Sequence, residues 1–348
     1  MCNIAGYAGT KQAAPILLEM VRKQQPFDGF CSCGIATIHE GKLHYRKIIG
    51  TIDDLIEKTD ALSLPGTVGI AHTRDGGMPD EYELAHPYLS MAEDMAVVSN
   101  GTTPNDHHAP HRDEMLQMLA REGFRFRTAR YKPDATWPKL EDGRVVGTAE
   151  VRVLLIEYYL KQGLSYMEAL TKTASELFAD NVMLMVNQNA GEKIFAARTV
   201  RPMGALLADG ETYLATSPYG FPEDVEGEYM SLPLMRGCII TKDGIEITSH
   251  KVVGDEAEAI SPRAYALAYQ ALEEALKNAS EENPLTGFSS VVKRVEAEAF
   301  PAGLAYNERI RLSYETLDTF RKEGRLGQTI VQMPWKGGMR GRYAFWLK

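Results

Sequence analysis

Cys2 directly follows Met1, and this position gives the residue a specific chemical capacity. A cysteine side chain is small enough to permit removal of Met1, which leaves Cys2 with both a thiol and a free α-amine. The thiol can attack a carbonyl carbon, and an α-amine with a pKa of about 8 can take up its proton, directly or through a water. Such a nucleophile needs no histidine. The alternative is that cysteine is merely permitted at the second position.

Short motifs spread over the amino-terminal part of the chain favour the catalytic interpretation. In chain order they are Cys2–Tyr7 (CNIAGY), Gly69–Arg74 (GIAHTR), Ala85–Pro87 (AHP), Val97–Gly101 (VVSNG), Ala197–Arg198, Arg201–Pro202 and Tyr213–Ser217 (YLATS). Together they resemble the motifs of the class II glutamine amidotransferases. The resemblance covers roughly residues 2–250. It implies an α+β fold, namely the four-layer αββα fold of the N-terminal-nucleophile hydrolases.

The resemblance assigns the stabilisation of the transition state to Asn100 and Gly101. Attack on an amide builds negative charge on the carbonyl oxygen, and losing one donor to that oxygen costs about 3–4 kcal/mol of barrier. In the family, the side-chain amide at the position of Asn100 and the backbone N–H at that of Gly101 are the donors. Taken alone, Asn-Gly is more typical of a hairpin turn.

The resemblance also indicates which residues bind the substrate. Arg74 occupies the position that binds the substrate α-carboxylate, a task suited to guanidinium because it donates two parallel hydrogen bonds. Further substrate contacts are expected from Thr73, Asp75, His86 and Thr148. For His72 and His86 a structural role is the stronger interpretation, since the α-amine already supplies the base.

Three departures from the family pattern concern recognition of the substrate. Thr148 stands where the family has the aspartate that holds the α-amine of glutamine. Asp28 stands where an arginine is expected near the nucleophile, and Asp75 begins a segment that is two residues shorter than usual. Asp28 or Asp75 could replace the missing carboxylate. Amide hydrolysis is therefore better supported than strict specificity for glutamine.

Composition excludes several other classes of protein. The 348 residues are 44% hydrophobic, and no apolar run approaches the roughly 18 residues that span a bilayer. The start of the chain does not read as a secretory signal, and four cysteines are too few to staple a chain of this size. We therefore expect a cytoplasmic protein with reduced thiols. We expect no cofactor and no metal. Cys31 and Cys33 could bind a metal or form a disulfide, but small buried residues of a strand are the favoured interpretation. His107, His108 and His111 could bind a metal, but their segment resembles an ordinary junction between a loop and a helix.

Strand and helix signals divide the chain into two domains, residues 2–252 and 260–348. In the first, a helix is predicted at Ala13–Arg22 after the first strand, and further strands flank two helices predicted at His111–Glu122 and Ala149–Gln162. The second is predicted to contain helices at Pro262–Asn278, Phe288–Ala299 and Ser313–Glu323, followed by strands Gln328–Met333 and Arg342–Leu347 around a glycine-rich turn, Lys336–Gly341.

The carboxy-terminal domain resembles a winged-helix module, with Leu312–Leu326 as the recognition helix and Lys336–Arg342 as the wing. Residues 286–348 hold 11 Lys and Arg against 6 Asp and Glu, whereas the preceding residues hold 27 against 41. The side chains that could contact phosphates are Arg309, Arg311, Arg321, Lys322, Arg325, Arg340 and Arg342. The alternative, which the net charge of −9 favours, is a module that docks on a protein partner or on the catalytic domain itself.

The predicted function is amide hydrolysis by Cys2 through a thioester intermediate, with glutamine converted to glutamate and ammonia. No synthase domain fits the remaining residues, so ammonia is expected to pass to a separate partner subunit or to be released. The alternatives are an amidase for another amide, or a degenerate ligand-sensing domain fused to a DNA-binding winged helix. We also expect a homo-oligomer and no membrane partner.

Overall fold

The computed structural model describes residues 2–74, 82–101, 109–132, 134–254, 260–289, 291–293, 306–335 and 338–348. Asp75 and the pair His107 and His108 lie outside these residues. Two antiparallel sheets stand face to face in the amino-terminal domain, and apolar side chains that alternate along their strands fill the space between them.

The first sheet has seven strands. From edge to edge they are β11 (Glu228–Ser231), β9 (Gly204–Ala208), β10 (Glu211–Ala215), β1 (Asn3–Ala8), β4 (Val68–Arg74), β2 (Ser32–His39) and β3 (Lys42–Ile49). The second sheet has six: β13 (Gly244–Lys251), β12 (Arg236–Thr241), β8 (Ile194–Arg198), β7 (Asn181–Asn187), β6 (Met95–Gly101) and β5 (Tyr88–Leu89). The strand that follows Cys2 is thus central in its sheet.

Helices cover the outer face of each sheet. On the first lie α1 (Ala13–Gln24) and α2 (Ile52–Lys58); on the second lie α3 (Ala109–Arg121), α4 (Thr148–Lys161) and α5 (Tyr166–Glu176). The order helix, sheet, sheet, helix is the four-layer arrangement that the sequence motifs imply.

Two of these helices were missed in the sequence. Both α2 and α5 begin with a capping box, in which Thr51 pairs with Asp54 and Ser165 with Glu168. Each box supplies partners for backbone N–H groups that a helix start otherwise leaves unpaired. The short strands β5 and β11 were missed as well, since runs of two and four residues carry little periodicity.

The carboxy-terminal module combines helices with a small sheet. Its described elements include α6 (Pro262–Leu276), β14 (Leu285–Thr286), α7 (Tyr306–Lys322), β15 (Leu326–Trp335) and β16 (Gly338–Leu347), with the sheet order β14, β16, β15. Residues 288–289 and 291–293 are helical, as predicted for Phe288–Ala299, and the rest of that predicted helix lies outside the described residues. Helix α7 begins seven residues before the predicted start. The predicted glycine-rich turn is wrong from Gly338 onward, because β16 pairs with β15 as far as Gly338 opposite Trp335.

The module packs tightly on the amino-terminal domain. Arg198 and Glu308 form an ion pair at 2.7 Å, and both side chains are 1% exposed. The Tyr229 hydroxyl donates to Glu315 of α7 at 2.6 Å. Among the described residues, no helix is both long and apolar enough to cross a bilayer.

Candidate active site

The position of Cys2 follows from strand β1. Ile4 packs between the two sheets, whereas Ala5 and Tyr7 pack on the helix side. Since side chains alternate along a strand, Cys2 shares the inter-sheet face with Ile4. Cys2 is partly exposed and immediately precedes β1, so it lies at the end of a central strand of the first sheet.

Asn100 reaches Cys2 from the other sheet. It lies near the end of β6, and its Nδ2 donates to the Cys2 carbonyl oxygen at 2.7 Å. The two residues are 98 positions apart in sequence. The structure therefore brings together the predicted nucleophile and the predicted oxyanion donor.

Gly101 is a strand residue, so the hairpin-turn interpretation of Asn-Gly does not hold. Gly101 pairs with Asn181, and Asn100 with Val182, in the ladder between β6 and β7. A Cβ at Gly101 would come within 2.7 Å of the Asp180 carbonyl oxygen and 2.8 Å of the Asn181 side chain. Glycine is needed here because a neighbouring backbone approaches closely.

Arg74 lies at the end of β4, on the same inter-sheet face as Cys2. One of its guanidinium nitrogens donates to the Leu84 carbonyl oxygen at 2.7 Å, and the side chain is partly exposed. A guanidinium presents five N–H donors, so this anchor orients the group and leaves others available for an anion.

His72 and His86 form a buried stack beneath the site. Their ring centroids are 3.9 Å apart. His72 Nε2 contacts the Ser99 carbonyl oxygen at 3.2 Å, and the Ser99 N–H donates to His86 Nδ1 at 3.4 Å. Burial lowers the pKa of His72 to about 3 and that of His86 well below its usual value. Both rings are therefore neutral near pH 7. Through Ser99 they connect β4 to the strand that carries Asn100. This buried position argues against direct contact between His86 and the substrate.

The low pKa of His72 predicts a loss of stability in acid. An unfolded chain binds a proton at this residue near pH 6.5, whereas the folded protein does so only near pH 3. The contribution of His72 to the free energy of unfolding is therefore fully present above pH 6.5. It falls by about 1.4 kcal/mol for each pH unit below that value. Urea unfolding at pH 7.5 and pH 5 should show this slope, and a weaker slope in His72→Gln. His39→Gln, at an exposed position, is the control and should keep the wild-type slope; an unchanged slope in His72→Gln would contradict the assignment.

Two carboxylates that could serve in place of the missing aspartate, those of Glu150 and Asp28, already have partners. Glu150, two residues after Thr148 in α4, accepts hydrogen bonds from the backbone N–H groups of Arg127 and Thr128 at 2.7 and 2.9 Å. Asp28 forms an ion pair with Arg342 at 2.9 Å, so it is not available as the expected replacement for the missing aspartate. Thr148 is partly exposed at the start of α4.

Thr73 is placed differently from its predicted role. It is fully buried, and its hydroxyl accepts a hydrogen bond from Asn3 Nδ2 at 3.0 Å. Alternation along β4 puts it on the helix side, opposite Arg74, so its placement argues against contact with substrate. Asn3 itself was missed; its signal is a polar residue at a buried position of an apolar strand. Its Nδ2 also contacts the carbonyl oxygens of Gln24 at 3.3 Å and Asp28 at 2.5 Å.

The residues considered as metal ligands have other contacts. Cys33 donates from its thiol to the Thr51 carbonyl oxygen at 3.1 Å, and Cys31 is buried and forms no disulfide bond. His111 contacts Glu176 at 2.6 Å. Across the described part of the chain, no group of three or more His, Cys, Asp or Glu side chains is arranged to hold a metal ion.

Comparison with known proteins adds an independent line of support. No protein-family model matches the chain. The glutamine–fructose-6-phosphate aminotransferase of Caldanaerobacter subterraneus is 30% identical over 248 residues, which cover 71% of this chain and 36% of that protein. The enzyme of the same name from Thermosynechococcus vestitus is 30% identical over 251 residues, with the same shares covered. The chain thus spans about a third of the length of these relatives.

Solved structures show the same fold. The glutamine phosphoribosylpyrophosphate amidotransferase of B. subtilis aligns over 78% of this chain and 58% of its own, with a TM-score of 0.58 and 18% identity. A structure described as the allosteric regulatory enzyme of purine biosynthesis aligns over 87% of this chain and 65% of its own, with a TM-score of 0.62 and 17% identity.

The fold, the site at the strand ends and these similarities define the amino-terminal domain as a class II glutamine amidotransferase domain with the N-terminal-nucleophile fold. The curated relatives that share this domain are enzymes.

Proposed function

We propose that this protein hydrolyses the side-chain amide of glutamine with Cys2 as nucleophile. Removal of Met1 frees the α-amine, which takes the thiol proton as sulfur attacks the amide carbon. The tetrahedral intermediate collapses with transfer of that proton to nitrogen, so that ammonia leaves and a thioester remains. Water, deprotonated by the same amine, then attacks the thioester and returns the thiol, with glutamate as the second product.

The hydrogen bond between Asn100 and Cys2 carries this proposal. It joins residues from two sheets, with the side-chain amide next to the nucleophile. Asn100 Nδ2 and the Gly101 N–H would then donate to the developing oxyanion. Arg74, on the same face, would bind the substrate carboxylate.

Asn100 offers a direct test of the oxyanion role. We expect Asn100→Ala to lower kcat by about 10²- to 10³-fold with little change in KM, because the donor acts in the transition state. Steady-state ammonia release measures both constants. Asn187→Ala, at the far end of the adjacent strand β7, is the control and should leave kcat near wild type. A rise in KM at unchanged kcat would instead assign Asn100 to ground-state binding.

The identity of the amide needs its own experiment, because Thr148 replaces the expected aspartate. Ammonia release should be measured for glutamine and for a matched ω-amide that lacks the α-amine. Preference for glutamine supports the proposal, and Asp75→Asn then tests whether that residue binds the ammonium. Preference for the deaminated amide would change the substrate class but leave the role of Cys2 intact.

Intact mass and labelling test the nucleophile without a known substrate. We expect the purified protein to lack Met1 and to react at Cys2 with an electrophilic glutamine analogue, as located by peptide mapping. Retention of Met1 in an active protein would overturn the proposed use of the α-amine.

We further propose that the carboxy-terminal module docks on the catalytic domain and does not bind DNA. In the described part of the module, helices are followed by the hairpin β15–β16, which supports a winged-helix-like topology. Of residues 308–322 in α7, however, only Thr319 and Lys322 are exposed, which leaves no face to enter a groove. Several cations of the module are paired within the chain, for example Arg321 with Asp318 at 2.6 Å and Arg311 with Glu308 at 2.8 Å.

The destination of the ammonia is part of the same proposal. The curated relatives carry further sequence beyond the matched third of their length. We propose that ammonia is handed to a separate synthase subunit, or released where none is bound. Co-purification of a stable complex, and ammonia release measured with and without the captured subunit, would distinguish these outcomes.

A further inference from the structure

We propose that Arg342, through Asp28, is a positioning residue for Cys2, so that the carboxy-terminal hairpin β15–β16 sets the reactivity of the nucleophile. This inference rests on the proposed function of Cys2. It concerns the loop 25–31 between α1 and β2, which lies between the hairpin and the residue next to Cys2.

The hairpin holds this loop at several points. Arg342 forms an ion pair with Asp28 at 2.9 Å and donates to the Phe27 carbonyl oxygen. Arg340 lies 3.5 Å from the same carboxylate. The Tyr343 N–H donates to the Pro26 carbonyl oxygen at 3.2 Å. The Arg342 and Asp28 side chains are only 10% and 17% exposed, so their attraction is less screened than that of a surface pair.

Phe27 anchors the loop in the core of the module. Its ring lies 4.7–5.2 Å from four aromatic rings, most of them edge-on. These are Tyr219, Phe288, Tyr314 and Tyr343. The loop is therefore packed as part of the module, although it belongs in sequence to the catalytic domain.

On its other side the loop touches the residue that follows Cys2. The Asp28 carbonyl oxygen accepts from Asn3 Nδ2 at 2.5 Å. Gly29 has a φ of +113°, and a Cβ there would come within 2.3 Å of Thr73 Oγ1 and 3.1 Å of Asn3 Nδ2. Because the atoms at this contact are closely packed, a shift of the loop would displace Asn3. Cys2 would move with it, since the two residues share a peptide bond.

The charge at position 28 supports the inference. The resemblance predicts an arginine where this chain has Asp28. An arginine at this position would be repelled by Arg340 and Arg342, whereas the Asp28 carboxylate attracts them. A misplacement of about 1 Å at a reacting group can cost 10²-fold in rate. An interaction remote from the thiol can therefore affect catalysis without touching substrate.

The test compares Arg342→Met, Arg342→Lys and Asp28→Asn with Arg325→Met, whose guanidinium pairs with Glu273 inside the module. The readouts are the alkylation rate of Cys2 by iodoacetamide, located by peptide mapping, and kcat and KM for glutamine. We expect Arg342→Met and Asp28→Asn to slow alkylation and lower kcat by about tenfold or more, with KM within about threefold. Arg342→Lys should recover part of the loss, and Arg325→Met should behave as wild type.

A double variant and the two readouts keep the inference falsifiable. Combining Arg342→Met with Asp28→Asn should cost little more than either change alone, because both remove the same link. Additive losses, or an alkylation rate in folded Arg342→Met that is unchanged or raised, would overturn the inference. If the wild-type protein hydrolyses no amide, the proposed function fails, while the alkylation rates still decide the role of Arg342.

Discussion

Replacement of Cys2 by alanine is expected to abolish amide hydrolysis, with a fall in kcat of at least about 10⁴-fold and no change in fold. The thiol forms the covalent intermediate, and the thiol of Cys31, which also lies near this strand end, is buried. Losses of this size are typical when a nucleophile that acts with its base is removed. Ammonia release under saturating glutamine measures the effect, and thermal unfolding shows whether the variant is folded.

Two controls separate the thiol from the amine. Cys31→Ala removes a buried thiol near the site and should retain most of the activity. A variant with two residues inserted before Cys2 keeps the thiol but moves the α-amine away, and it should lose nearly as much activity as Cys2→Ala. Full activity of the extended variant would contradict the amine as base, and substantial activity of Cys2→Ala would contradict the mechanism altogether.

Removal of Glu308 is expected to destabilise the protein by about 3–5 kcal/mol, the largest effect on stability that the structure predicts. Glu308→Ala leaves the Arg198 guanidinium buried without its carboxylate. Burial lowers the pKa of Arg198 to about 10, which is still far above neutral, so the charge persists at pH 7. Urea unfolding with analysis of midpoint and slope measures the change in the free energy of unfolding.

Glu274→Ala is the matched control for this experiment. Glu274 pairs with Lys277 in the same module, but both side chains are more than half exposed, and the loss should be below about 1 kcal/mol. The double variant Arg198→Met with Glu308→Leu should recover part of the stability, since it removes both charges of the buried pair, while Arg311 still loses its contact with Glu308. A loss in Glu308→Ala no greater than in Glu274→Ala would show that the buried pair does not hold the module in place.

Much of the amino-terminal fold is predictable from local signals. The apolar and small residues of Asn3–Tyr7 and Ile194–Arg198 identify β1 and β8, because strands buried on both faces are rich in such residues. Helix α4 was placed within one residue, since Gly147 and Gly163 mark its ends. The capping boxes of α2 and α5 show that further local signals were present but not used.

Other features depend on contacts that no local pattern encodes. The partner of Asp28 lies more than 300 residues away, and without that knowledge the residue was a candidate for substrate binding. The basic residues of the carboxy-terminal module suggested contact with phosphates. Two of their partners, Asp28 for Arg342 and Glu273 for Arg325, become neighbours only in the folded chain. Burial of α7 against the catalytic domain then removes the surface that such contact requires.

Cys2 at the second position, the Asn100-Gly101 motif and the order of the strands are thus properties of the sequence by itself. These features predict an amide-hydrolysing site, because residue type and spacing along a strand determine which chemical groups lie at the end of that strand. Only the tertiary structure decides that Asn100 meets Cys2 across two sheets, that Thr73 faces away from the site and that Asp28 binds the carboxy-terminal hairpin. These are contacts between distant segments, and their geometry arises from packing of the whole chain rather than from local preference.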